Sequence, residues 1–136
     1  MDVQNYLNKM NEIRNILLEY IDEEADDQGK FQNLIDIFKT NKIQGNKHLL
    51  ASTIHLLSSI IDNHYRKIYF FNKIFNIILF FKEELAKYFT NFEIYDFFRN
   101  NKRVILFFIE EKIINLDLLI VSKIIKSQQN ITYYQK

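Results

Sequence analysis

The second half of the chain repeats itself when it is compared with itself at a shift of 27 residues. Residues 78–84 (ILFFKEE) match residues 105–111 (ILFFIEE) at six of seven positions, and the Phe pair at 70–71 falls on the pair at 97–98. A repeat of about 20–50 residues is typical of stacked arrays, because one such unit cannot bury its apolar face without a neighbour. The chain is therefore expected to be built from stacked units.

Each unit is predicted to contain a short helix, a polar turn and a longer helix. Thr90, followed by Glu93 three residues later, has the sequence of a capping box, which predicts a helix that begins after Thr90. The shift places Thr90 on Asp117, a residue type that also caps helices. The same shift aligns the apolar residues Ile94, Phe97 and Phe98 with Val121, Ile124 and Ile125, respectively. The predicted units cover residues 63–89 and 90–116, and an incomplete unit covers residues 117–136.

The first half is predicted to be helical as well. Residues 3–21 carry an apolar stripe with three- and four-residue steps, which predicts an amphipathic helix that ends before Gly29. Its members are Val3, Tyr6, Leu7, Met10, Ile13, Leu17 and Ile21. Residues 1–29 are thus predicted to form an N-terminal capping helix and an acidic loop. Residues 30–62 are predicted to form a diverged helix pair, with helices over 31–39 and 47–61. The predicted fold is a single all-α domain over residues 1–136, a short α-solenoid of stacked helix pairs with about seven helices.

Composition excludes several classes of protein. The chain has no Cys, which removes disulfides, thiolate nucleophiles and Cys-type zinc sites and favours a reducing, cytoplasmic location. The formal net charge of +1 provides no global attraction to nucleic acid or to an acidic membrane. The N-terminus lacks the features of a signal peptide, and the longest uncharged stretch, residues 48–61, is shorter than the about 20 residues of a spanning helix. No membrane partner is expected.

No pattern of residues predicts catalysis, a metal or a cofactor. His48, His55 and His64 are seven and nine residues apart, whereas a helical zinc pair has a spacing of about four. If the acidic run at 22–27 is aligned with a calcium loop, the required Gly falls on Asp27 and the closing Glu falls on Asn33. Glycine-rich phosphate loops and nucleophile elbows are missing from a chain with two Gly. We therefore expect a protein that is not an enzyme and has no cofactor.

Residues 97–117 (FFRNNKRVILFFIEEKIINLD) resemble a diverged ankyrin repeat. Over a longer stretch, residues 48–125 are similar to the helical N-terminal region that precedes the ankyrin array in protist ankyrin-repeat proteins. The Thr-Pro-Leu-His signature is absent, and Asn101 stands where ankyrin has its Gly between the two helices. The units of 27 residues are also shorter than the about 33 residues of ankyrin. The resemblance implies ankyrin-like helix pairs without the projecting hairpins.

Two charged segments are the predicted partner-binding sites. Residues 1–30 contain eight acidic and three basic side chains, and the rest of the chain contains nine acidic and fifteen basic ones. The expected contacts are a turn and an acidic loop, with residues Arg99, Asn100, Asn101, Lys102, Arg103, Asp22, Glu23, Asp26 and Asp27. The predicted function is a non-enzymatic protein–protein interaction or scaffold module whose protein partner the sequence does not identify. The alternatives are a structural capping domain that precedes an ankyrin-repeat array, and weak nucleic-acid binding through the basic turn.

Overall fold

A computed structural model describes residues 3–22, 28–64 and 68–134, and within these ranges the chain forms eight α-helices and no strands. The predicted all-α class is confirmed, with one helix more than the expected number. The helices are α1 (Val3–Asp22), α2 (Gln28–Thr40), α3 (Lys47–His64), α4 (Ile68–Phe80), α5 (Lys82–Tyr88), α6 (Asn91–Phe98), α7 (Lys102–Glu110) and α8 (Leu116–Tyr134). The chain forms two compact units, Met1–Phe81 and Lys82–Lys136. The stacking of the whole chain into one solenoid stays a prediction.

In the unit Met1–Phe81, α1 packs against α2, α3 and α4. Its buried residues recur at three- and four-residue steps, as the stripe predicts, and Tyr20 joins them. They are Met10, Ile13, Leu17, Tyr20 and Ile21. Val3 and Leu7 were expected in the stripe but are exposed, because burial of α1 is concentrated in its C-terminal half. Near its start, the Tyr6 hydroxyl forms a hydrogen bond with the Ser52 hydroxyl of α3.

Phenylalanine rings join α2 to the end of α4 in this unit. The Phe38 ring lies 5.8 Å from the Phe80 ring and 4.8 Å from the Phe81 ring, measured between centroids. Phe38 and Phe81 are completely buried. Each buried ring of this size stabilises the fold by about 1.5–3 kcal/mol. Aromatic packing therefore contributes to a core that is otherwise mainly aliphatic.

Two helices end with a lysine in the left-handed backbone conformation that glycine usually occupies. Lys42 after α2 has a φ of 56°, and Lys112 after α7 has a φ of 60°. The following Ile43 N–H donates to the Phe38 carbonyl at 3.1 Å, and the Ile113 N–H donates to the Phe108 carbonyl at 2.8 Å. Both isoleucines are buried. These are Schellman motifs, in which the apolar residue after the left-handed position anchors the helix end.

In the unit Lys82–Lys136, α6 contacts both α7 and α8. The Phe98 ring of α6 meets the Phe108 ring of α7 edge to face at 5.2 Å, and both side chains are buried. At the start of α8, the Asn115 N–H donates to the Asn91 side-chain oxygen at 3.1 Å. Further along, the Lys123 ammonium lies 3.9 Å from the centroid of the Tyr95 ring. These contacts place α8 alongside α6, with its first turn beside the first turn of α6.

Threonine and asparagine side chains begin four of the helices. The predicted capping box is confirmed: the Thr90 hydroxyl accepts from the Glu93 N–H, and the Glu93 carboxylate accepts from the Thr90 N–H. Asn46 accepts from the N–H groups at the start of α3, and Asn101 does so at the start of α7. The prediction of Asp117 as a cap is wrong, because Asn115 accepts from the Leu118 N–H and Asp117 lies within the first turn of α8.

The two copies of the repeated block fold differently. In residues 105–111 the helix α7 continues to Glu110, whereas in residues 78–84 it breaks at Phe81 and α5 begins at Lys82. The polar turn at residues 99–102 would correspond to residues 72–75, which lie inside α4. Phe81 and Phe108, however, occupy equivalent positions and both are completely buried. The duplication thus preserves the buried ring and not the ends of the helices.

Candidate interaction surface

Helix α8 presents apolar side chains to solvent over its first three turns. They are between 47% and 55% exposed, whereas Leu119 in the same segment is only 4% exposed. We call this set the α8 face, and it consists of Leu116, Leu118, Ile120, Val121, Ile124 and Ile125. Exposed apolar patches of more than a few hundred Å² mark interaction sites in most soluble proteins.

The α8 face follows from the sequence of this helix, which is apolar on nearly every side. At 100° per residue, Leu118, Val121 and Ile125 share one side, and Ile120 and Ile124 lie next to them. The side that packs against α6 carries Leu119 and Lys123. A helix that is apolar all round is normally buried on all sides, so α8 has one more apolar side than its neighbours cover.

Two charged side chains border the α8 face within residues 116–125. Asp117 lies in the first turn, and Lys123 has its ammonium over the Tyr95 ring. Asp117 is at the N-terminal end of the face, on the same side as Val121, and between Leu118 and Ile125 the outer side of the helix carries no charged residue. An uncharged centre with polar residues at the edge is the usual composition of a protein–protein interface.

The sequence pattern aligns Val121, Ile124 and Ile125 with Ile94, Phe97 and Phe98, and it did not lead to a predicted partner-binding site on α8. The usable signal was the density of Leu, Ile and Val between residues 116 and 125, which leaves no polar side for solvent. A single helix cannot turn all of these residues toward one neighbour. Which of them remain open depends on the number of helices that pack around α8.

The predicted basic turn lies between α6 and α7. Arg99, Asn100, Lys102 and Arg103 are exposed there, as a contact surface requires. Arg99 also forms an exposed ion pair with Asp96 at 3.4 Å. Asn101 has a structural role, because its side-chain oxygen accepts from the Val104 N–H and its own N–H donates to the Phe98 carbonyl. Four of the five predicted turn residues are thus exposed, and their role in binding stays a prediction.

The predicted acidic contact lies mostly beyond the described residues. Asp22 is the last residue of α1 and is exposed. Glu23, Asp26 and Asp27 lie outside the described ranges. The acidic contact therefore stays a prediction.

The three histidines of the chain all lie in helix α3. His48 and His55 are exposed at different points of α3, and His64 ends that helix. The Thr53 hydroxyl donates to the Leu49 carbonyl at 2.8 Å within α3, which leaves it engaged with the backbone. No group of three or more potential metal-ligating side chains is present in the described part of the chain.

A cleft of about 280 Å³ opens between the start of α1 and the start of α3. Its lining is mainly apolar and consists of Val3, Tyr6, Asn46, His48 and Leu49. Asn46 uses its side-chain oxygen to accept from the N–H groups of His48 and Leu49. The Tyr6 hydroxyl, which bonds to Ser52, and the Asn46 oxygen are thus engaged within the protein, which reduces the number of groups that could orient a small ligand.

The only described charged side chain in the core is Lys73, which is 4% exposed. Its ammonium donates to the Tyr20 carbonyl at 2.7 Å and lies 4.9 Å from the centroid of the Tyr20 ring. Tyr20 stands in the last turn of α1, where carbonyl groups lack helical partners and a positive charge is favourable. Lys73 thus joins α4 to the C-terminal end of α1.

Comparison of the chain with models of protein families, with curated proteins and with solved structures found no match in any of the three. The resemblance to ankyrin-repeat proteins stays a prediction. None of the described helices is both long and apolar enough to span a membrane.

Proposed function

We propose that this chain is a non-enzymatic protein–protein interaction module that binds a protein partner through the α8 face. The observation that carries the proposal is the half-exposed set of aliphatic side chains around Val121. Complete burial of one such side chain is worth about 1.5–3 kcal/mol, so covering the remaining half of all six would contribute on the order of 5–9 kcal/mol before the costs of association. That free energy is a substantial driving force for binding a partner.

The basic turn contributes a second, weaker contact. Arg99, Lys102 and Arg103 are exposed and would attract acidic side chains of the partner. Charges at the edge of an interface mainly raise the association rate and are screened by salt. The absence of Cys supports a module that works in a reducing cytosol.

A capping role is the second candidate function, and the same observation favours it. A further helix pair would cover the α8 face, as neighbouring units do in stacked repeat proteins. In that case the chain would shield one end of an ankyrin-repeat array, and the array would be the binding surface. The two candidates differ in whether the α8 face is free to bind a separate protein.

A quantitative pull-down with three baits tests the proposal. The baits are the wild-type chain, Val121→Asp on the α8 face, and Leu106→Asp on α7, where Leu106 is another exposed apolar residue at 58% exposure. We expect nuclease-treated extract of the source cells to yield a protein that wild type and Leu106→Asp retain at high salt and that Val121→Asp loses. Equal retention by all three baits, or retention of nothing by folded wild type, would contradict the proposal.

A salt titration with RNA and DNA separates this function from nucleic-acid binding. The proposal expects no measurable affinity at about 50 mM salt, where a few phosphate contacts would already give detectable binding. Affinity that falls steeply with salt and disappears in an Arg99→Ala, Lys102→Ala, Arg103→Ala triple variant would support the nucleic-acid alternative instead.

A further inference from the structure

The internal repeat relates the open helix α8 to the covered helix α6. The shift of 27 residues pairs Val121 with Ile94 and Ile125 with Phe98. Ile94 and Phe98 are buried, whereas Val121 and Ile125 are about half exposed. Equivalent positions are therefore covered in one helix and open in the other.

Both α7 and α8 pack against α6. Helix α7 packs against α6, and its Phe108 ring meets the Phe98 ring edge to face at 5.2 Å. Val104, one turn before Phe108, is also buried. Helix α7 thus offers α6 a short apolar stripe with an aromatic side chain one turn after an aliphatic one.

From this correspondence we infer that the α8 face binds an amphipathic helix of a partner protein, as α6 binds α7. The inference rests on the proposed function and specifies the chemistry of the partner. The partner helix carries an aliphatic residue and an aromatic residue four positions apart on its apolar side. The ring of the partner packs against Ile125, the equivalent of Phe98, and the aliphatic residue packs against Val121.

The size and charge of the α8 face agree with such a helix. Leu118 and Ile125 are seven residues apart, which corresponds to about 10 Å along the helix axis. Helix α7 has nine residues, so a partner helix of the same length spans the face. Between Leu118 and Ile125 the outer side of α8 has no charged residue, which favours an apolar stripe over an acidic or basic segment.

A synthetic peptide provides a direct probe of this inference. A fluorescein-labelled peptide of residues 100–113 of this protein contains the whole of α7 with its Asn101 cap and its C-terminal Ile113. We expect saturable binding of this peptide to the full chain in fluorescence anisotropy. Binding should weaken at least tenfold with Val121→Asp or Ile125→Ser and should be unchanged with Leu106→Asp. A peptide with Phe108→Ala should also bind at least tenfold more weakly.

Specific outcomes would overturn the inference. Equal binding by wild type and Val121→Asp would mean that the peptide binds elsewhere, for example by displacing the chain's own α7. Self-association of the wild type that Val121→Asp abolishes would assign the face to a second copy of the chain. Binding of wild type, but not Val121→Asp, to phosphatidylcholine–phosphatidylserine vesicles would assign it to a membrane surface.

The peptide experiment and the pull-down separate this inference from the proposed function. If the peptide fails to bind while the wild-type bait retains a protein that Val121→Asp loses, only the helical partner is wrong. If no bait retains a protein and the peptide also fails to bind, both are wrong. Circular dichroism of each variant, which should match the wild type because the substituted residues are exposed, confirms that the comparison concerns folded proteins.

Discussion

At the scale of single residues, asparagine and lysine perform the tasks that glycine and proline perform in most helical proteins. The chain has no Pro and two Gly, so its helices begin and end with other residues. Asn46, Asn101 and Asn115 begin α3, α7 and α8 with their side-chain oxygens, and Lys42 and Lys112 end α2 and α7 in the left-handed conformation. An L-residue in that conformation costs about 1–2 kcal/mol relative to its preferred conformations, which the anchoring isoleucines offset.

Substitution of Asn101 tests its role as the N-terminal cap of α7. We expect Asn101→Ala to lower the free energy of unfolding by about 1 kcal/mol, because the Val104 N–H loses its acceptor. Asn101→Asp should retain the stability, since a carboxylate caps equally well. Asn100→Ala is the matched control on the neighbouring exposed residue and should change stability by less than about 0.5 kcal/mol. Urea denaturation followed by circular dichroism measures all three. Equal effects of the two alanine substitutions would show that the cap contributes nothing.

Replacement of Lys112 by glycine should stabilise the protein. Gly adopts a φ of 60° without a steric penalty, so we expect Lys112→Gly to raise the free energy of unfolding by about 0.5–1 kcal/mol. Lys39→Gly, in the last turn of α2, is the control and should be destabilising by a similar amount, because its backbone is helical. A lower midpoint of denaturation for Lys112→Gly would contradict the assigned backbone conformation.

At the scale of helices, the contact between α6 and α7 depends on the buried ring pair. Phe98→Ala or Phe108→Ala removes a buried ring and is expected to cost about 3–5 kcal/mol through lost burial and a residual cavity. The double variant should cost less than the sum of the two, because the single variants already lose the contact between the rings. Thermal and urea denaturation measure these differences.

Leu106→Ala provides the control for this prediction on the same helix. Leu106 is mostly exposed, so its truncation should change stability by less than about 0.5 kcal/mol. A shift in melting temperature of only a degree or so for Phe108→Ala would contradict the placement of this ring in the core.

Identical sequence blocks need not give identical helices. Residues 78–81 and 105–108 have the same sequence, yet α4 ends within the first block and α7 continues through the second. The Phe81 N–H is shared between the carbonyls of Ile77 and Ile78, as is common where a helix tightens at its end. The four shared residues therefore do not by themselves decide where a helix stops.

At the scale of the whole molecule, the boundary between the two compact units falls between Phe81 and Lys82. We expect residues 1–81, produced alone, to be helical and to unfold cooperatively, because the buried side chains of α1, α2 and α3 and the Phe38–Phe81 contact lie within that range. Far-ultraviolet circular dichroism with a thermal ramp tests this. A melt without a cooperative transition would show that the first unit requires residues beyond Phe81.

The remaining unit should be much less stable alone. It contains fewer than the about 70–80 residues that a single core usually needs, and one of its helices carries the open α8 face. An apolar surface of this kind in a small unit is stabilised by any protein that covers it. A rise in its melting temperature on addition of the partner is therefore the expected sign of binding.

The sequence by itself determined the all-α class and several of the helix positions and ends. Apolar residues at three- and four-residue steps identify the helix 3–21, and Thr90 with Glu93 identifies the start of α6, because these signals act within one or two turns of a helix. The sequence also identified the rings at 81 and 108 as equivalent, and both are buried.

Only the tertiary structure decided which apolar side chains are covered. Val121 and Ile94 are equivalent in the repeat, and local sequence gives no means of separating an open position from a buried one. Coverage depends on which other helices pack against each helix: α7 packs against α6, while the side chains of the α8 face remain about half exposed. The spacing of apolar residues in a single helix does not determine how that helix packs against others. The candidate surface of this protein is therefore identified only from the tertiary structure.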